Sequence, residues 1–123
     1  MKSSKTILKS FTSNVIDKIN RHKNYKIQLL EVLKNIYDPE IPINILDLGL
    51  IYKIEYLLYN TVKIRMTLTS MKCPVSNIII NNIKKKVKKY VKKISKVYIE
   101  LIWDPKWNQN MISKEGKILL NLV

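Results

Sequence analysis

The chain has 123 residues, 46% of them hydrophobic, and a formal net charge of +14. That length suits one domain with a real core, and no apolar run reaches the roughly 18–20 residues that span a bilayer. One cysteine, Cys73, excludes an internal disulfide, and one histidine, His22, excludes a zinc site of two cysteines and two histidines.

His22 lies in the polar stretch Asn20-Arg21-His22-Lys23-Asn24, which fits a solvated side chain better than the base of a catalytic triad. The positive charge raises phosphate binding, because clustered Lys and Arg gain affinity by releasing counterions. Yet Arg21 and Arg65 are the only arginines among 23 basic residues, and arginine is the usual bidentate reader of phosphate and guanine. A lysine-coated, solvated surface is the simpler reading, and an acidic protein partner fits the same charge. The N-terminal Met1-Lys2-Ser3-Ser4-Lys5 is basic, but Lys9, Ser10, Ser13 and Asn14 interrupt the apolar residues from Thr6 to Val15, unlike a secretory core. The expectation is a cytoplasmic protein without a membrane partner.

Residues 1–23 are polar and weakly periodic, an N-terminal extension that is either helical or flexible; the domain spans 24–123. From Ile27, apolar Leu29, Leu30, Val32, Leu33 and Ile36 follow helical spacing, and the helix should stop before Asp38-Pro39. A stiff connector comes next, with Pro39 and Pro42 limiting its freedom and Asp38, Glu40 and Asp47 studding it. Leu48 to Tyr56 reads as a strand, with Gly49 marking a bulge or a close backbone approach. Tyr59-Asn60 is the hairpin turn. Thr61 to Thr69 alternates as a half-buried strand, Val62, Ile64, Met66 and Leu68 pointing one way.

The period then changes. Ile79, Ile80, Ile83, Val87, Val91 and Ile94 stripe a long helix starting at Pro74, with lysines 84–86, 88, 89, 92 and 93 on its other face. Val97 to Trp103 forms a third strand, followed by Asp104-Pro105-Lys106-Trp107 and a short polar tail. The order α-β-β-α-β predicts a compact two-layer α+β domain with helices packed on a small mixed sheet.

The sharpest local feature is Thr67-Leu68-Thr69-Ser70-Met71-Lys72-Cys73-Pro74, where a strand hands over to a helix. Proline favours the first helical position, which places Cys73 beside unpaired N–H groups and a positive dipole end. With Lys72 adjacent, these conditions lower a thiol's pKa and make it a better nucleophile or metal ligand. Thr69 and Ser70 are candidate hydrogen-bond donors there. The competing reading is a buried cysteine acting as a small hydrophobe. Asp38, Glu40 and Asp47 likewise have two readings, a metal- or partner-binding cluster or turn residues and caps. Trp103 and Trp107 read as closing a core edge, and Met71 and Met111 as packing.

Three ordered stretches, Tyr37 to Tyr52, Met66 to Pro74 and Trp103 to Trp107, resemble the SufT/PaaD-like family of metal–sulfur cluster biosynthetic proteins. The resemblance runs from about residue 26 to the C-terminus. It implies a compact α/β domain and an accessory role in assembling iron–sulfur clusters or transferring them to client proteins, beside SUF-type scaffolds. By position it carries Asp38, Glu40, Thr69, Ser70 and Cys73 into the functional surface, with Asp47 where the family often has an acidic residue. Lys106 departs from the family, which often has proline there. Some relatives are fused to a P-loop ATPase, but the chain's two glycines, Gly49 and Gly116, form no phosphate loop.

On this reading the protein is a maturation factor rather than an enzyme, with no tightly bound cofactor. Cys73 ligates an iron ion or a cluster transiently or contacts a client apoprotein. Clusters take about four protein ligands, so a homodimer, a partner or a small thiol would complete the set. Two rivals stand beside it. One is a thiol enzyme with Cys73 as nucleophile, which wants a positioned base that His22, outside the domain, does not offer. The other is nucleic-acid binding by the lysine face of residues 84–93.

Overall fold

A computed structural model of the protein describes residues 24–69 and 73–122, residues 73–76 by backbone alone. Helix α1 covers residues 24–34 of the described chain. Its Leu29, Val32 and Leu33, with Ile36 just beyond, are buried at the i, i+3, i+4, i+7 spacing that puts one stripe of a helix against a core.

The connector is more than a spacer. Tyr37 and Asn44 form an isolated antiparallel bridge, the Ile45 N–H donates to the Ile36 carbonyl at 2.8 Å, and Ile43, Ile45, Leu48 and Leu50 are fully buried. The strand expected from Leu48 begins later. Residues 45–49 are turns, and β1 covers Ile51–Leu57. Gly49 carries the reason, with φ +77°, a left-handed conformation that glycine adopts without steric penalty.

Tyr59 and Asn60, both at positive φ (60° and 56°), turn the chain into β2, Thr61–Met66. Paired left-handed residues match the twist of a two-residue hairpin. β2 pairs antiparallel with β1, with a register shift between Ile51 and Lys53, and parallel with β3, Lys96–Leu101. The sheet is therefore mixed, in the order β1-β2-β3. The parallel pairing needs a crossover, which α2, Cys73–Tyr90, provides.

Val62, Ile64 and Met66 of the central strand, Ile79, Ile83 and Val87 of α2 and the stripe of α1 share one core. The sheet's other face carries an ion-pair ladder: Lys63–Glu100 at 3.0 Å, Arg65 Nε–Glu100 at 3.2 Å, Arg65–Glu55 at 3.5 Å and Lys53–Glu55 at 3.6 Å. Helices on one face of a small mixed sheet make this the α+β domain the pattern predicts.

Other boundaries differ from expectation as well: β2 ends at Met66 and β3 at Leu101, short of Thr69 and Trp103. α2 ends at Tyr90, so Val91 and Ile94 are buried from the loop beyond it, and Lys92 and Lys93 lie in that loop. The supposed polar tail is structured. A 3-10 turn, Gln109–Met111, leads into α3, Lys114–Leu119, whose N-cap Ser113 accepts a hydrogen bond from the Gly116 N–H. An N-cap hydroxyl satisfies one of the four N–H groups a helix start leaves open.

Candidate functional site

The site is built where α1 ends, β2 ends and α2 begins. Asp38 is the organising side chain. Although only 4% exposed, its carboxylate is well solvated by protein donors. Oδ1 accepts from the N–H groups of Glu40 (2.8 Å) and Ile41 (2.9 Å), and Oδ2 accepts from the Thr69 hydroxyl at 3.2 Å. The first two bonds make an Asx-type turn that shapes the connector. The third crosses 31 residues of sequence and ties the connector to the segment that leads into α2.

Thr69 is four residues from Cys73, the first residue of α2, so covalent reach alone holds their Cα atoms within about 14 Å. The backbone of Cys73 opens an 18-residue helix with no acidic residue in its first turn, and the first turn of a helix leaves N–H groups unpaired at the positive end of its dipole. The thiolate is the form of cysteine that binds metals and attacks electrophiles. Ser70 and the side chain of Cys73 lie outside the described residues.

Thr69 is committed. A hydroxyl has one hydrogen, and Thr69 donates it to Asp38, so a thiolate or cargo would meet this side chain as an acceptor. Glu40 is exposed, free to meet solvent or a partner while its N–H serves Asp38. Asp47 works elsewhere. Its Oδ2 accepts from Asn44 Nδ2 (2.7 Å) and its Oδ1 from the Ser113 hydroxyl (2.9 Å), while its carbonyl accepts from the Ser113 N–H (2.7 Å). Asp47 thus anchors the C-terminal segment to the connector.

The same anchoring explains the neighbouring residues. Trp107 Nε1 donates to the Leu48 carbonyl at 2.7 Å, and the Tyr52 hydroxyl donates to the Pro105 carbonyl at 2.8 Å. A Cβ on Gly49 would overlap the Met111 carbonyl. Trp107 closes a core edge, whereas Met111, half-buried, lies 3.6 Å from the Tyr52 hydroxyl through its sulfur.

Sequence reasoning passed over Thr67. It is fully buried, its hydroxyl has no hydrogen-bond partner, and its N–H donates to the Leu50 carbonyl at 2.8 Å. The alternation put Thr67 on the open face with Lys63 and Arg65. A signal was present, since a threonine two residues before Thr69 begins to leave the sheet, where alternation no longer predicts exposure. An unpaired buried hydroxyl costs about 1–3 kcal/mol. Among the described residues, no three His, Cys, Asp or Glu side chains gather into a metal-binding group, and no helix is long and apolar enough to cross a membrane.

Comparison with known proteins converges on one family. Residues 26–101 match the family model described as iron–sulfur cluster assembly protein. The chain is 39% identical over 95 residues to a Porphyromonas gingivalis protein named Fe-S protein maturation auxiliary factor, covering 77% of this chain and 90% of that one. It is 36% identical over 87 residues to the Staphylococcus aureus Fe-S protein maturation auxiliary factor SufT, covering 71% of this chain and 98% of that one. Among solved structures, a domain of unknown function, DUF59, from Bacillus anthracis superposes with a TM-score of 0.74 at 29% identity, covering 82% of this chain and 95% of that one. The motifs around Asp38 and Thr69, the fold that joins them and these matches agree: the chain belongs to the SufT-like family of iron–sulfur cluster assembly proteins.

Proposed function

We propose that this protein is an auxiliary factor in the maturation of iron–sulfur proteins and acts through Cys73, binding an iron ion or a cluster transiently as cargo. The observation that carries the reading is the Asp38–Thr69 hydrogen bond. It joins two of the motifs that resemble the family's, the connector at Asp38 and the residues after β2 at Thr69. The names of the relatives support the pathway, and the helix-start position of the thiol supports the chemistry.

In this account the protein's residues bind and position; they do not turn over a substrate. Asp38 sets the shape of the connector and holds Thr69. Glu40, exposed beside it, faces a partner. Cys73 supplies one thiolate, and since a cluster takes about four protein ligands, the remaining ligands come from a scaffold, a client apoprotein, a second copy or a small thiol. SUF-type scaffolds and iron–sulfur apoproteins are the partners this chemistry requires.

The test is to incubate reduced protein anaerobically with ferrous iron and sulfide, remove free metal, and record visible absorption and Mössbauer spectra. Wild type is expected to retain iron with thiolate-ligated signatures, and Cys73→Ser to lose them. Equal spectra from both proteins would contradict a role for Cys73 in holding the cargo.

A further inference from the structure

Charge is segregated in this molecule. On the open face of the sheet, Lys53, Lys63 and Arg65 are matched by Glu55 and Glu100. On the helical side, α2 carries five lysines between positions 84 and 89 and no acidic residue anywhere along its length. Lys84, Lys85, Lys88, Lys89 and, in the loop beyond, Lys92 pair with no carboxylate of the described residues.

Another lysine of the same helix, Lys86, lines a cleft. Between α1 and α2 lies a groove of about 500 Å³ lined by Gln28, Glu31, Val32, Asn35, Lys86 and Tyr90. Lys86 reaches across it to the Asn35 carbonyl at 3.4 Å. The Lys89 ammonium stands 5.3 Å from the centre of the Tyr90 ring, so a cation flanks the aromatic wall. Tyr90 is more than half exposed although its ring is apolar. The groove therefore offers an apolar wall of Val32 and Tyr90, the Gln28 amide, and two cations, Lys86 in the lining and Lys89 beside the Tyr90 ring, against one acid, Glu31.

We propose that the α1–α2 groove is the docking site for an acidic peptide segment of a protein partner, one that seats an apolar side chain against Val32 and Tyr90 and lays flanking carboxylates on Lys86 and Lys89. Concavity favours a peptide over the other polyanions, since a duplex or a bilayer would lie across the rim without filling the cleft. Scarcity of arginine points the same way. Residues 1–23 are an unsuitable occupant, because they bring six Lys or Arg and a single acid, Asp17, to a rim already positive. This surface is separate from the proposed chemistry at Cys73, and binding to it needs no metal.

The probe is a fluorescein-labelled twelve-residue peptide of Glu and Asp with two central leucines, titrated into the full chain at fixed salt. Its controls are the same peptide with Ser for Leu, an oligothymidylate of equal charge, and phosphatidylserine vesicles. Binding is expected to broaden or shift the amide signals of residues 28–35 and Tyr90, and to weaken about tenfold with the Ser peptide. The double variant Lys86→Glu/Lys89→Glu, checked for folding by circular dichroism, should lose at least that much, and Glu31→Gln should bind more tightly. Cys73→Ser should bind as wild type does, which separates this test from that of the cargo site. Tighter binding of the oligothymidylate or the vesicles, indifference to the leucines, or shifts away from the groove would overturn the proposal.

Discussion

Asp38 shows how one buried carboxylate can shape a site without being its reactive group. Its two backbone donors and the Thr69 hydroxyl all depend on it, so Asp38→Ala leaves buried donors unpaired and should destabilise the fold by about 2–4 kcal/mol in urea denaturation. Asp38→Asn keeps an acceptor for the turn and should cost roughly half as much. Glu40→Ala removes only an exposed side chain and should change stability by less than about 0.5 kcal/mol. Any loss of maturation activity in that variant then reports on partner contact.

Thr67 gives a complementary test. Its buried hydroxyl satisfies nothing, so Thr67→Val should be neutral or stabilise by up to about 1–2 kcal/mol. If activity falls while stability rises, the hydroxyl serves the site. Asp38 and Thr69 were legible from sequence as members of motifs, but their contact was not, because no local rule reports a hydrogen bond across 31 residues. Asp47 shows the same limit. Its type suggested either a cluster with Asp38 or a turn residue or cap, whereas its partner, Ser113, lies in a segment that read as a tail.

At the scale of elements, the readable parts were those with a clean period. Val62, Ile64 and Met66 alternate, and Ile79, Ile83 and Val87 recur at helical spacing, so β2 and α2 emerged with nearly their observed starts but were read past their observed ends, Met66 and Tyr90. The connector was harder. Ile43, Ile45, Leu48 and Leu50 are core residues held by turns, and turns impose no period. α3 has six residues, too few to be stable alone, and exists because Ser113 caps it and Asp47 holds Ser113. The pattern Ser113-Lys114-Glu115 is nonetheless a helix-start signal.

Two predictions belong to these elements. Gly49→Ala forces a side chain into the Met111 backbone from a left-handed conformation, and should cost about 3 kcal/mol or more by displacing the 108–113 segment. In the strand ladder, the Glu100 carboxyl is held below its ordinary value by a hydrogen bond and the charge of Lys63, with help from Arg65. Because the folded value is the lower one, the pair is fully formed above the ordinary carboxylate pKa and is lost as pH falls through the folded value. An NMR titration should show Glu100 titrating below an unpaired glutamate, and Lys63→Met should move it back up.

Across the whole molecule, the two proposed functions fall in two separate regions. One is the end where Asp38, Thr69 and the start of α2 meet. The other is the α1–α2 groove with its lysine rim. The strong net charge, which from composition alone fitted a nucleic-acid surface as well as a protein one, resolves into a sheet face partly neutralised by Glu55 and Glu100 and an α2 surface that carries lysines and no acid. That division was invisible in the sequence, because it depends on β1, β2 and β3 bringing Glu55 and Glu100 beside Lys63 and Arg65.

The central claim is that the protein matures iron–sulfur enzymes through Cys73, and it is tested most directly in cells. The protein would be depleted, and the activity of an iron–sulfur enzyme such as aconitase measured after rescue with wild type or Cys73→Ser at equal abundance. The account predicts that depletion lowers the activity and that wild type alone restores it. Equal restoration by both proteins would contradict the role of Cys73, and unchanged activity on depletion would contradict the maturation role itself.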